Sequence, residues 1–321
     1  RNGKKDSLLF FFFSLSLLQT PTIQHTCNAG AFGQFASGVG NTDAGFVLGT
    51  GKLLVKVPPT LRFVLEGKMP PYLTAKDLIL QVIGEIGVAG GTYKAMEFTG
   101  DAISQMSMEV RRKGEVLLNF FFFFLFSDDD KKPHFFFFFF FSSSHHPTTT
   151  NQERMTVCNM VVEAGAKNGT CPCDQVTIDY VTARTSKPFY PVEADGGASY
   201  LKEYRFDVSK LEPLVAAPHS PDNRKTAVSC KGTKIDRVYI GSCTGGKTED
   251  FLYAAKLFAA SGDQQVKVPT YLVPATQKVW ADVYAMPVPG DPKGRTAAEI
   301  FAAVGCVPPA APSCAACLGG P

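Results

Sequence analysis

Three cysteines place the strongest demand on how this chain folds. Cys243 lies in RVYIGSCTGGKTEDF, a turn between a strand-like and a helix-like stretch, while Cys314 and Cys317 lie much further along in PSCAACLGGP. Three thiolates presented from loops suit an iron–sulfur cluster, because soft sulfur ligands match iron. A three-ligand set would leave one iron open for chemistry. Such a site needs a fold that brings its last segment back to the Cys243 turn. Spacing alone leaves rivals standing. C-x-x-C also marks zinc ribbons and redox dithiols. A structural zinc site wants four ligands, usually two close pairs, and no second C-x-x-C exists here; Cys171 and Cys173 are spaced C-x-C, a poorer pair. A redox dithiol belongs at a helix start after a strand, whereas Cys314 follows the proline-rich VPPAAPS. On spacing, cluster, zinc and plain buried thiols stand level.

The same turn supports a different chemistry. Residues 241–248 read GSCTGGKT, which satisfies the phosphate-loop pattern G-x-x-x-x-G-K-S/T, between the apolar IDRVYI and the helix-like TEDFLYAAKLFAA. Backbone N–H groups of such a loop would cradle phosphates, with Lys247 reaching the terminal ones. Against this, the next strand, VKVPTYLVPA, ends without the aspartate that usually holds magnesium. Nucleotide binding ranks second.

At 321 residues the chain has room for roughly two domains. Its net charge of +3 implies neither a nucleic-acid nor an acidic partner. Nine cysteines in a chain this long do not make a regular disulfide framework and fit reduced thiols better. The chain starts at Arg1, which reads as a fragment. Seventeen of its 27 phenylalanines fall in runs, at positions 10–13, 120–124, 126 and 135–141. None approaches the roughly 20 apolar residues that span a bilayer, so no membrane insertion is expected. The Phe/Ser/Leu/Pro/His bias of both regions matches pyrimidine-rich codons, and each region leads to a glutamine, Gln19 or Gln152. We read residues 111–152 and the leader as translated intron; a mature transcript encoding both tracts would refute this. A non-functional gene product, insoluble and without cofactor, is the third reading beside enzyme and nucleotide-binding module.

Periodicity supplies the architecture. LRFVL alternates like a strand, and AKDLILQVIGEIG has helical spacing. MTVCNMVVEAGA reads as an apolar helix, and from Ile235 the order is strand, helix, strand, helix, with a last helix stopped by Gly305. Alternating strands and helices give an α/β class with layered domains and mainly parallel sheets. The expected divisions are a low-complexity leader at 1–21, the end of a first domain at 22–58, and a second α/β domain at 59–232 interrupted by 111–152. The start of a third domain, at 233–321, carries the cluster cysteines.

The blocks HTCNAGAFGQFASGVGNTDAGFVLGTGKLLVKVPPTLRFVLEGKMP, AKDLILQVIGEIGVAGGTYKAMEFTG, RMTVCNMVVEAGAKNG, EYRFDVSKLEPLVAAPHSPDN, DRVYIGSCTGGKTEDF and PSCAACLGGP occur in one order. Together they resemble the aconitase family, in the plant and algal form of its isopropylmalate-converting large subunits. The resemblance implies a [4Fe-4S] cluster on Cys243, Cys314 and Cys317, and makes the phosphate-loop match a coincidence. It implies three α/β domains in the whole subunit, of which this chain would be incomplete at both ends. The implied activity is a hydro-lyase reaction that isomerises 2-isopropylmalate to 3-isopropylmalate in leucine biosynthesis. A separate small subunit would supply a serine base, in the chloroplast stroma.

The same resemblance gives His25, Asn159 and Glu163 catalytic roles. His25 stands where the family has an Asp-Ser-His-Thr motif, but Ile23 and Gln24 replace the first two residues. That leaves the imidazole without the carboxylate that would orient it, and the alternative is a surface histidine. Asn159 and Glu163, four apart, would share one helix face; the alternative for Glu163 is a buried ion pair. Cys158 is expected to be a core thiol, and His219 and Asp222 are explained by turn chemistry. An upstream active-site block ahead of His25 and arginines after CLGGP are missing, so the expectation is a polypeptide inactive by itself.

Overall fold

The computed structural model describes residues 24–70, 73–106, 122–123, 136–137 and 152–313. Strand β1 (Thr60–Glu66) buries Leu61, Phe63 and Leu65 on alternate positions, as the two-residue period of LRFVL requires. It is flanked in parallel by β2 (Ala95–Thr99) on one side and β6 (Lys202–Asp207) on the other, and β5 (Asn168–Thr170) pairs with β2. The sheet order is β5-β2-β1-β6. Phe63 stacks against Tyr204 at 5.0 Å and Phe98 at 5.3 Å between ring centroids, so one aromatic row ties three strands together.

Between these strands, short β3 (Phe122–Phe123) and β4 (Phe136–Phe137) pair in parallel with β7 (Leu214–Ala216) and β9 (Arg237–Gly241). β7 also pairs antiparallel with β8 (Arg224–Thr226), and β9 pairs in parallel with β10 (Thr270–Val273). Among the described residues every sheet pairing except β7–β8 is parallel, in keeping with an α/β layered class. No described helix is long and apolar enough to cross a membrane. The expected translated-intron stretch otherwise lies outside the described residues, as does the leader.

The helices are α1 (Asn41–Thr50), α2 (Ala75–Ile86), α3 (Asp101–Gln105), α4 (Gln152–Asn159) and α5 (Gln175–Thr182). After β9 come α6 (Ser242–Gly245), α7 (Thr248–Ala260), α8 (Gln277–Ala285) and α9 (Ala297–Ala303). Helix α2 starts where the Asp77 carboxylate accepts from Thr74 N–H at 2.9 Å, and its other oxygen accepts from Leu214 N–H at 3.0 Å. One buried side chain thus caps a helix and fixes β7 beside it. Two apolar cores result. One gathers α2, α4 and the first sheet; the other gathers Phe251, Leu272, Val283, Ile300 and Phe301 around β9, β10 and the last helices.

The apolar stretch MTVCNMVVEAGA is not one α-helix. α4 ends at Asn159 and the chain tightens into a 3-10 turn, Met160–Ala164, closed by left-handed Gly165. A 3-10 last turn has the same apolar composition as an α-helix, so sequence periodicity does not separate them.

Candidate active site at the carboxyl ends of two parallel strands

β9 and β10 run in parallel, and the turns that leave their carboxyl ends face the same way. In α/β sheets this is where ligands bind. Gly241 ends β9 with φ 153°, a conformation open to glycine, and a Cβ there would sit 2.1 Å from the Val273 carbonyl oxygen. Ser242 follows at φ 81°, an uncommon left-handed residue. Its hydroxyl bonds Thr244 Oγ1 at 2.9 Å and accepts from Thr244 N–H at 3.3 Å. This strained turn holds Cys243 partly buried between the strand and α7.

Backbone bonds bring the end of the described chain to the same place. Residues 307–313 run along β10, with Val307 N–H donating to Thr270 O at 2.9 Å and Ala310 N–H to Leu272 O at 2.8 Å. Ser313 N–H donates to Pro274 O at 3.2 Å, and the next residue, Ala275, donates from N–H to Gly246 O at 2.8 Å. A hydrogen-bonded path therefore joins Ser313 to the turn that bears Cys243. Cys314 and Cys317 lie outside the described residues. Among the described residues no three His, Cys, Asp or Glu side chains form a metal-binding group.

The three residues proposed for chemistry meet around α4's last turn. Asn159 is buried, and its carbonyl oxygen faces His25 Nδ1 at 3.1 Å and accepts from Cys27 Sγ at 3.3 Å. His25 Nε2 lies 3.7 Å from Glu163 Oε1. The imidazole thus lies between a backbone carbonyl on one nitrogen and a carboxylate on the other. The orienting partner that the sequence lacks at Ile23 and Gln24 is supplied by Asn159, and His25 is not a surface histidine: its side chain is 17% exposed. Asn159, through its backbone carbonyl, and Glu163 both face this ring, and Glu163 is 36% exposed, not a buried partner.

Asn159 also reaches the cysteine turn. Its Oδ1 lies 3.9 Å from Cys243 Sγ, and its Nδ2 is buried with no hydrogen-bond partner among the described residues. A buried amide donor left unpaired costs about 1–3 kcal/mol. An acceptor held beside Cys243 would remove that cost, so these residues fit a sulfide- or oxygen-bearing group bound on the thiolate.

Other charged groups of the site were not legible in the sequence. Lys76, in the first turn of α2, is buried; burial draws its ammonium down to about 8, while the negative charges of Glu163 and Cys243 pull the other way. Thr156 on α4 was also missed; its hydroxyl donates to Thr244 O at 3.3 Å. Lys247 does not project freely into the turn. Its ammonium donates to Thr156 Oγ1 at 2.6 Å and Thr244 O at 2.9 Å, which removes it from the phosphate-binding role. Cys158 is a core thiol 3.7 Å from Cys171 Sγ, and burial raises it well above the usual thiol range. Asp222 bonds the Ser220 hydroxyl and Asn223 donates to Pro218 O, so the HSPDN segment is turn chemistry.

Comparison with known proteins gives a consistent picture. The sequence profile of the aconitase family (aconitate hydratase) matches residues 22–113, 144–231 and 223–321. The chain is 61% identical over 300 residues to the chloroplastic 3-isopropylmalate dehydratase large subunit of Arabidopsis thaliana, covering 94% of this chain and 50% of that protein. It is 39% identical over 253 residues to the probable methanogen homoaconitase large subunit of Methanosarcina mazei, covering 79% and 53%. Against the 3-isopropylmalate dehydratase large subunit of Clostridium kluyveri it is 36% identical over 296 residues, covering 92% and 58%. The chain spans about half the length of the curated relatives it matches.

Proposed function

The chain belongs to the aconitase family, and from that premise we propose that it is part of a 3-isopropylmalate dehydratase large subunit. The reaction is the reversible dehydration and rehydration that converts 2-isopropylmalate into 3-isopropylmalate, a step of leucine biosynthesis. Cys243, Cys314 and Cys317 hold a [4Fe-4S] cluster, a separate small subunit completes the heterodimer, and the setting is the chloroplast stroma. The observation that carries this reading is the path of backbone bonds from Ser313 through Pro274 and Ala275 to Gly246. It ends one residue before Cys314 and starts in the Cys243 turn.

Dehydrating a hydroxy acid requires a hydroxyl to leave and a proton to be taken from the neighbouring carbon. When bound, the cluster supplies a Lewis acid for the hydroxyl and a substrate carboxylate. The chain's own residues manage the proton and the water. His25, with Nδ1 against the Asn159 carbonyl, presents Nε2 toward Glu163 and exchanges a proton with its carboxyl group. Glu163, partly open to solvent, is the group that gives a proton to the departing oxygen or takes one from the incoming water. Asn159 Nδ2, without a protein acceptor among the described residues, donates to that oxygen. The base for carbon belongs to the small subunit.

The test uses a complete large subunit that contains this chain, reconstituted anaerobically with iron and sulfide and combined with small subunit; the 321-residue chain treated alike is expected to stay inactive. Interconversion of the two isopropylmalates is expected, and Glu163→Gln is expected to lower kcat by about 10²–10⁴-fold. A kcat within twofold of wild type would remove Glu163 from the mechanism, and preferred turnover of citrate or a methylthioalkylmalate would redirect the substrate assignment.

A further inference from the structure

The phosphate-loop lookalike GSCTGGKT contains a lysine that the proposed reaction does not use, and the structure gives it a different task. Lys247 is the residue before α7, and its N–H is held by Asp250 Oδ2 at 2.9 Å, so its backbone is anchored to the helix start. Its ammonium turns back across the turn and donates to Thr244 O at 2.9 Å and to Thr156 Oγ1 at 2.6 Å. Thr156 in turn donates to Thr244 O at 3.3 Å. Thr244 is the neighbour of Cys243, and Thr156 lies on the helix that ends in Asn159. The three groups close a small polar ring between the cysteine turn and α4.

We infer that Lys247 is a positioning residue: its ammonium pins the Cys243 turn to helix α4, fixing the cysteine sulfur beside the Asn159 side chain, and places a cation next to the cluster. The inference rests on the cluster reading above for its second half only. Geometry argues for pinning. Charge-assisted bonds to a backbone carbonyl and a hydroxyl are strong and directional, and α6 is too short, at four residues, to hold its own position. Electrostatics argues for the cation. A cluster on three thiolates is anionic, and substrate brings two carboxylates, so buried positive charge nearby offsets the cost of bringing negative charge out of water. Lys76, buried on α2, adds a second ammonium near Cys243 and Lys247. Because Lys247 is spent on protein groups, it does not contact substrate.

Two measurements separate this inference from the functional reading. In the metal-free full-length chain, hydrogen–deuterium exchange of amides 243–247 is expected to accelerate about tenfold in Lys247→Met and in Thr156→Val, the loss for a charge-assisted bond. Lys247→Arg is expected to restore much of the protection. Unchanged exchange in both variants would overturn the pinning. In the reconstituted heterodimer, Lys247→Met is expected to lower kcat by about ten- to a hundredfold with KM within about twofold. The cluster's reduction potential is expected to fall, because a lost cation disfavours the more negative reduced state. Thr156→Val, which keeps the cation, is expected to lower kcat without moving the potential. An unmoved potential in Lys247→Met, a change confined to KM, or ATP binding that the variant abolishes would each overturn the role. If wild-type chain takes up no cluster, the functional reading fails, while the exchange result still decides the pinning.

Discussion

Asn159 serves three neighbours from one position. Its carbonyl faces His25 Nδ1 and the Cys27 thiol, its Oδ1 faces Cys243, and its Nδ2 is held in reserve. Cys27, one of those neighbours, leads to a pH prediction. Burial pushes the Cys27 and Cys306 thiols up to about 12, from 9.0 in the unfolded chain. A raised folded pKa means that the native state holds the proton more tightly. The stabilisation is therefore complete below pH 9.0 and is lost as pH rises toward 12. Lys76 acts in the opposite sense, since its folded pKa of about 8 lies below 10.5 and favours the native state as pH rises through that window. Burial also draws the Lys247 and Lys256 ammoniums down, and raises Cys158 and Cys173 with the two thiols, so four raised thiols oppose three lowered ammoniums. Urea unfolding of the metal-free chain is expected to show a midpoint that declines steadily above pH 9, with a shallower decline in Cys27→Ala. A flat midpoint between pH 9 and 11 would refute the assignment.

At the scale of elements, α4 and α5 are coupled by Arg154, whose guanidinium is 1% exposed. It donates to both oxygens of Asp174, at 2.9 and 2.6 Å, and to the Ile103 carbonyl at 3.1 Å. Asp174 also caps α5 by accepting from Thr177 N–H. Burial alone would raise this carboxyl, but the Arg154 guanidinium wins and holds it below the usual carboxylate range. Asp174→Ala leaves a buried cation without its partner. Thermal or urea unfolding is expected to show a loss of about 2–4 kcal/mol, less than for a fully buried pair because Asp174 is partly wet. A loss under about 0.5 kcal/mol would mean that the pair behaves as a surface one. This coupling crosses only about twenty residues, yet no pattern in the sequence announced it. Much else at this scale was legible. LRFVL and AKDLILQVIGEI became β1 and α2, because one buried face leaves a period of 2 or 3.6 in the chain. The shift from α to 3-10 at Met160 left no such trace. His25 shows the same limit: its orienting group is a backbone carbonyl 134 residues away, which carries no residue-type signal.

Over the whole molecule, the alternation of strand- and helix-like segments made the α/β class and parallel sheets legible, and the cysteine turn was visible as a short signature. The phosphate-loop reading failed because an eight-position pattern records which residues are present, not what they bond; Lys247 is occupied by Thr156 and Thr244. What the fold adds is delivery. Parallel β9 and β10 place two turns at one edge, and the segment along β10 carries the chain to Ser313 beside them. The domain divisions expected at 58 and 232 remain a proposal; the two apolar cores meet along β9, where Tyr239 belongs to one and Val238 and Ile240 to the other.

The decisive measurement is the visible absorption and iron content of the full-length chain after anaerobic reconstitution, taken for wild type and for Cys243→Ser. Broad visible absorption that fades on oxidation, with iron near four per wild-type chain (the [4Fe-4S] stoichiometry) and loss of both in Cys243→Ser, is the predicted result. A colourless wild-type protein, or a Cys243→Ser variant that keeps the full spectrum, would contradict the account.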